Sequence, residues 1–152
     1  MENEKTIEVL NELIIINNDR IEGYETASKE TDEVDLKTLF AQFISTSQNC
    51  KQELVREVNA LGGEVAEGTM VSGKFFRMWM DVKAALTGKD RKMILDSCER
   101  GEDEALETYE DVLENDAEHL TADHETIIYS QRSLLQADHD QVKALRDALV
   151  EA

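Results

Sequence analysis

The sequence predicts an all-α fold, a bundle of long helices, on three observations. The 152-residue chain has no proline and only seven glycines. Runs rich in Leu, Ala, Glu and Lys, which favour helix, fill most of it. Its apolar residues recur at steps of three and four, and no segment alternates with the two-residue period of a strand. A chain of this length suits one domain, residues 1–152, with a substantial core.

The first helix is expected over about residues 4–28. Ile7, Leu10, Leu13, Ile14, Ile21, Tyr24 and Ala27 share one face there, with Asn17 on that face and Glu25 at its edge. Ile15 and Ile16 point to the opposite side, which implies a second buried surface. Thr31 and Asp32 end this helix and cap the next. The second helix is expected over about 34–61, with Leu36, Leu39, Phe40, Phe43, Cys50, Leu54 and Val58 inward, accompanied by Thr46, Ser47 and Glu57. Gly62 and Gly63 stop it. A connection this short between the first two helices makes them an antiparallel hairpin.

Residues 69–86 form a further expected helix whose aromatic and Met residues surround it rather than marking one stripe. An 18-residue helix spans about 27 Å, enough to carry the chain along a bundle. The third bundle helix is expected over about 90–115, where Ile94, Cys98, Gly101, Ala105, Tyr109 and Val112 form the inward face. Glu102 falls about 40° from the centre of that face. The fourth, over about 121–150, turns Ile128, Leu135, Val142, Leu145 and Leu149 inward, with His124, Gln131, Asp138 and His139 among them. Two hairpins joined by a long crossing helix describe a ferritin-like four-helix bundle, with the crossover helix between the second and third bundle helices.

Thirty-four acidic residues against 16 basic ones give a formal net charge of −18. Nucleic acid and anionic membrane surfaces are excluded as partners, because both are bound through Lys and Arg. Cation attraction or DNA mimicry would use so much acid, but a solvated outer face explains it more simply. The amino terminus has no basic stretch leading into an apolar one, and the longest apolar run, residues 13–16, is too short to span a membrane. The expected setting is cytoplasmic, where Cys50 and Cys98 remain buried free thiols. No nucleophile–base constellation, phosphate-cradling loop or Cys-x-x-Cys motif is present.

Several phrases taken together are more specific: LGGE at 61–64, WMDVKAALTGKD at 79–90, CERGEDEAL at 98–106 followed by Tyr109, and HDQVKALRDAL at 139–149. Over nearly its whole length the chain resembles a bacterial family of ferritin-like four-helix bundles of unassigned function. The resemblance implies the bundle, a cytoplasmic setting and a bacterial source, and it implies no reaction.

Di-iron sites in such bundles take a Glu from each of two helices and a Glu-x-x-His from each of the others. No Glu-x-x-His exists here, since Asp116, Thr121 and Gln136 precede His119, His124 and His139 at that spacing. Aligning the helices places Asn17, Thr46, Ser47, Cys50, Glu102 and Gln131 in the middle layer. Glu102 is the one ordinary iron ligand among them. The expected layer is hydrogen-bonded, with Glu102 accepting from Asn17, Gln131 and Ser47. The alternative is a single iron, manganese or zinc ion nearer one end of the bundle, at Glu25, Asp138 and His139 with Glu99 nearby, or at Glu102.

The functional expectation is a non-enzymatic binding or structural protein, of a stress-related kind, with a degenerate metal centre and no cofactor. The alternative is a ferritin-like metalloprotein with oxygen chemistry. A homodimer or larger assembly is expected through the crossover helix, by Phe75, Phe76 and Trp79, and through the Ile15–Ile16 pair. A third reading makes the 75–80 cluster a small-molecule pocket.

Overall fold

A computed structural model describes residues 2–67, 84 and 91–151. Among the described residues are four long helices, one short 3-10 turn and no strand. In chain order they are α1 (Glu2–Glu30), α2 (Val34–Ala60), α3 (Arg91–Asn115), the 3-10 turn Ala117–His119 and α4 (Ala122–Glu151). The chain is all-α, and these four helices begin and end within about two residues of the expected places. The expected crossover helix at 69–86, with Phe75, Phe76 and Trp79, lies outside the described residues except for Ala84, which is helical.

Local chemistry sets the helix ends. Between α1 and α2 the Thr31 hydroxyl accepts from the Glu33 N–H at 3.2 Å. Gly62 leaves α2 with φ at +76°, a conformation that costs most side chains energy. The Gly62 and Gly63 N–H groups then satisfy the carbonyls of Asn59 and Val58 at 3.0 Å each. At the start of α4, the Thr121 hydroxyl accepts from the His124 N–H, while His124 Nδ1 accepts from the Thr121 N–H, both at 3.2 Å. His124 thus does the work of the Glu or Gln in a capping box. Glu110 pairs with Arg132 at 2.5 Å.

Contacts between helices fix their directions. Thr6, near the start of α1, donates to the His119 carbonyl beyond the end of α3. At the other end, Arg91 at the start of α3 bonds Glu33 and Asp35 just past the end of α1. Hence α1 and α3 are antiparallel. Gln131 of α4 donates to the Cys50 carbonyl of α2, and Gln42 of α2 donates to Gln141 of α4. So α2 and α4 are antiparallel as well, and α2 and α3 run parallel. Beyond Gly62 the chain crosses onto α1, where the Asn11 amide donates to the Glu64 carbonyl and accepts from the Ala66 N–H, both at 2.9 Å.

Two apolar clusters fill the interior. One gathers Leu10, Leu13, Ile14, Ile16, Leu54, Val58, Tyr109, Val112, Ile128 and Leu135. The other, toward the α1–α2 turn, holds Tyr24, Leu36, Phe40, Phe43, Leu95, Cys98 and Val142. Tyr24 stacks on Phe40 at 5.4 Å and meets Phe43 edge-on at 5.1 Å between ring centres. The expectation that Ile15 and Ile16 face outward is corrected here, since Ile16 is fully buried and Ile15 half-buried. Contact with both α2 and α3 widens the buried sector of α1 beyond a single stripe. Among the described residues, no helix is long and apolar enough to cross a membrane.

A buried ion-pair layer as candidate functional site

Between the two apolar clusters all four helices turn polar groups inward. On α1, Asn17, Arg20 and Tyr24 follow at steps of three and four and so share a face. The Arg20 side chain is 1% exposed. Its Nη1 donates to the Ser47 hydroxyl of α2 at 2.5 Å. Its Nη2 donates to Glu102 Oε1 of α3 at 2.6 Å and to Asp138 Oδ2 of α4 at 3.3 Å. The Tyr24 hydroxyl donates to the same Glu102 oxygen at 2.5 Å, and the Arg20 guanidinium lies 5.7 Å from the Tyr24 ring centre. Gln42 of α2 adds a long hydrogen bond of 3.4 Å to Asp138.

A second network, built mainly of amides and hydroxyls, lies one turn away. The Asn17 amide donates to the Tyr109 hydroxyl and to the Leu13 carbonyl, each at 2.8 Å. Tyr109 donates on to Gln131 Oε1 at 2.7 Å, and Gln131 Nε2 donates to the Cys50 carbonyl at 3.1 Å and to Glu53 at 3.2 Å. The residues expected in the middle layer are therefore central and buried, apart from half-buried Thr46, but their connections differ from expectation. Glu102 accepts from Arg20 and Tyr24, not from Asn17, Gln131 or Ser47. A guanidinium reaches farther than an amide and carries full charge, so it claims the carboxylate.

The electrostatics follow from burial. Desolvation works against the Arg20 charge, but Glu102, with help from Asp138, more than offsets it, so Arg20 is held protonated more firmly than usual. Burial raises the Asp138 carboxyl above its ordinary range, opposed by Arg20 and by hydrogen bonds from Thr46, Arg20 and Gln42. Burial, then the Glu102 charge, lifts the Tyr24 hydroxyl well above its usual value. Burial pushes the Cys50 thiol up to about 12, and burial with Glu102 pushes Cys98 higher still. Both cysteines are free, buried and protonated, which leaves no reactive thiolate. The Oε2 atom of Glu102 and the Nε of Arg20 are buried without a hydrogen-bond partner.

His139 belongs to another place. Adjacent residues of a helix point about 100° apart, so Asp138 faces Arg20 while His139 turns toward α3. Its Nε2 lies 2.7 Å from Asp103 Oδ1 and 3.7 Å from Glu99 Oε1, and its Nδ1 lies 3.4 Å from Asp140 Oδ1. One ligating atom from each of Glu99, Asp103 and His139 falls within 4.8 Å of the others. Arg146 is also ion-paired with Glu99. Glu25 is exposed on α1 and is not part of that group. The expected set thus separates: Glu102 and Asp138 meet at Arg20, His139 joins Glu99 and Asp103, and Glu25 stands apart.

A family model for a domain of unknown function, DUF2383, matches residues 5–115. The chain belongs to this family. Arg20, Tyr24, Ser47 and Glu102 lie inside the matched region, and Asp138 and His139 lie beyond it. No curated protein matches the chain.

Proposed function

We propose that this DUF2383 protein is a ferritin-like four-helix bundle whose own guanidinium occupies the place of a metal centre, and that it acts as a non-enzymatic binding or structural protein. The observation that carries this reading is Arg20, buried between Glu102 and Asp138 at mid-bundle. A di-iron centre wants several carboxylates and imidazoles around an open space. Here Asn17, Ser47 and Gln131 stand beside a permanent cation, and that donor set does not fit two iron ions. The parallel course of α2 and α3 supports the ferritin-like connectivity, because parallel neighbours in sequence require a long crossing link. A cytoplasmic setting, a bacterial source and a stress-related role belong to the same reading, as does a homo-oligomeric state.

The test is metal content. The protein, purified without chelator or affinity tag, is loaded with iron(II) under anaerobic conditions, exposed to air, and assayed for bound metal per chain. Background metal with intact helicity is the expected result. One or two ions per chain, lost in Glu102→Ala, would refute it.

A second reading is favoured by Glu99, Asp103 and His139, whose mutual distances suit one iron, manganese or zinc ion. On this reading, metal bound in the same assay disappears in His139→Ala and survives in Glu102→Ala. Arg146 argues against it, since it already neutralises Glu99.

A further inference from the structure

Charge is distributed unevenly around the four helices. Every exposed residue of α1 from Glu4 to Glu25 is charged, and all but Lys5 are acidic. Every exposed residue of α3 from Arg100 to Glu114 is charged too, and all but Arg100 are acidic. On α2 the pattern inverts. From Thr38 to Ala60, Arg56 is the sole exposed charged residue, and Ala41, Ser45, Asn49 and Gln52 typify the others. On α4, no exposed residue from Thr126 to Ala137 carries charge, and Tyr129 and Leu134 are 56% and 47% exposed. Because α2 and α4 are packed side by side, these sectors join into one face that, among the described residues, carries no exposed acid across the middle of both helices.

From this face we infer that the chain self-associates, a second copy docking α2 and α4 against α2 and α4 about a two-fold axis. This gives a surface to the homo-oligomeric state proposed above and is independent of what the mid-bundle layer binds. The argument is electrostatic. Each chain carries a formal charge of −18, so most pairs of faces would set carboxylates against carboxylates. The acid-free face lets two copies meet without that repulsion, and a two-fold axis places it against itself. The acid-free sectors, 38–60 on α2 and 126–137 on α4, are about 35 Å and about 18 Å long on helices roughly 10 Å wide. That gives on the order of 500 Å² per copy, or about 1,000 Å² for the pair, the lower end of specific interfaces and the size of a concentration-dependent dimer. The chain leaving α2 crosses onto α1 through residues 64 and 66, away from this face. Small and amide side chains also permit close helix approach with paired polar groups.

Sedimentation equilibrium on the full chain, from about 1 to roughly 100 µM, tests this. The wild type is expected to dimerise. Ser45→Glu/Ser133→Glu, which places acid on the face, is expected to weaken the dimer about tenfold or more. Thr26→Glu/Asn115→Glu adds the same charge on α1 and α3 and leaves the dimer within about threefold of wild type. Circular dichroism checks that both variants remain helical. A wild type that stays monomeric over this range overturns the proposal. So does a dimer that Ser45→Glu/Ser133→Glu weakens no more than the control.

Discussion

Among the described residues Arg20 is the one cation paired with Glu102 and Asp138, and replacing it by Met removes that charge. A unit-charge pair about 4 Å apart contributes roughly 4 kcal/mol at an effective dielectric of about 20. Losing it would strand Glu102 and Asp138 beside one another at 1% and 3% exposure. The variant has a cheaper way out, since a stranded carboxyl can take up a proton. With an ordinary pKa near 4, protonation at pH 7 costs about 1.4 kcal/mol for each of roughly three units, or about 4 kcal/mol. Both routes agree with the ~3–5 kcal/mol typical of breaking a buried ion pair from one side.

The second route also makes the loss depend on pH. Destabilisation should shrink by about 1.4 kcal/mol per unit of acidification, to roughly 1–2 kcal/mol near pH 5. Urea unfolding followed by circular dichroism at both pH values measures this. Arg20→Met/Glu102→Met/Asp138→Asn should recover much of the loss, because removing the cation together with both of its carboxylates leaves no stranded charge. A loss below about 1 kcal/mol at pH 7, or one unchanged near pH 5, would refute the assignment of Arg20 as the layer's counter-cation.

Asp138 gives a pH prediction of defined sign. Its folded pKa is raised by burial, so the stability it contributes is fully present below its ordinary value of 3.8 and is lost as pH rises through the folded value. Asp138→Asn should flatten that part of the profile, and urea midpoints between about pH 4 and pH 7 that still match the wild type would count against it. Asp35 has the opposite sign: its hydrogen bond from Arg91 lowers its pKa, so its contribution is present above 3.8 and lost as pH falls through the lowered value. Arg91→Ala should therefore erase only a small acid-side loss in the same titration, because the pair is exposed. Thr121→Ala removes the hydroxyl that caps α4 and should cost about 1 kcal/mol, read as a shift of the urea midpoint. Salt should raise that midpoint between about 10 mM and 300 mM, because it screens the repulsion of an acidic surface, and a falling midpoint would contradict this.

The fold was legible because its information is periodic. No proline interrupts the helices, and the Gly62–Gly63 stop is written plainly in the sequence. The buried positions of Asn17, Ser47, Cys50, Glu102 and Gln131 could be read from the same periodicity. Their partners could not, because a helical wheel gives direction but neither reach nor relative height between helices. Arg20 is the instructive omission. It lies about 40° from Tyr24 and about 60° from Asn17 on the wheel, a charge in an apolar stripe by the criterion that singled out Glu102. Arg is so commonly at the surface that its position did not stand out. The separation of Asp138 from His139 was readable from their 100° offset, whereas the meeting of His139 with Glu99 and Asp103 depends on how α3 and α4 are set against each other.

The layer also divides by hairpin. Arg20, Tyr24 and Ser47 come from α1 and α2, whereas Glu102 and Asp138 come from α3 and α4. One half of the chain contributes the layer's positive charge and the other both of its negative charges. The halves therefore carry a recognition code for one another that does not pass through the covalent link joining them. Sliding one hairpin against the other by a helical turn, about 5.4 Å, would break the contacts of Arg20 and Tyr24 with Glu102 and of Arg20 with Asp138 at once. The correct mating of the halves is written in charge as well as in shape.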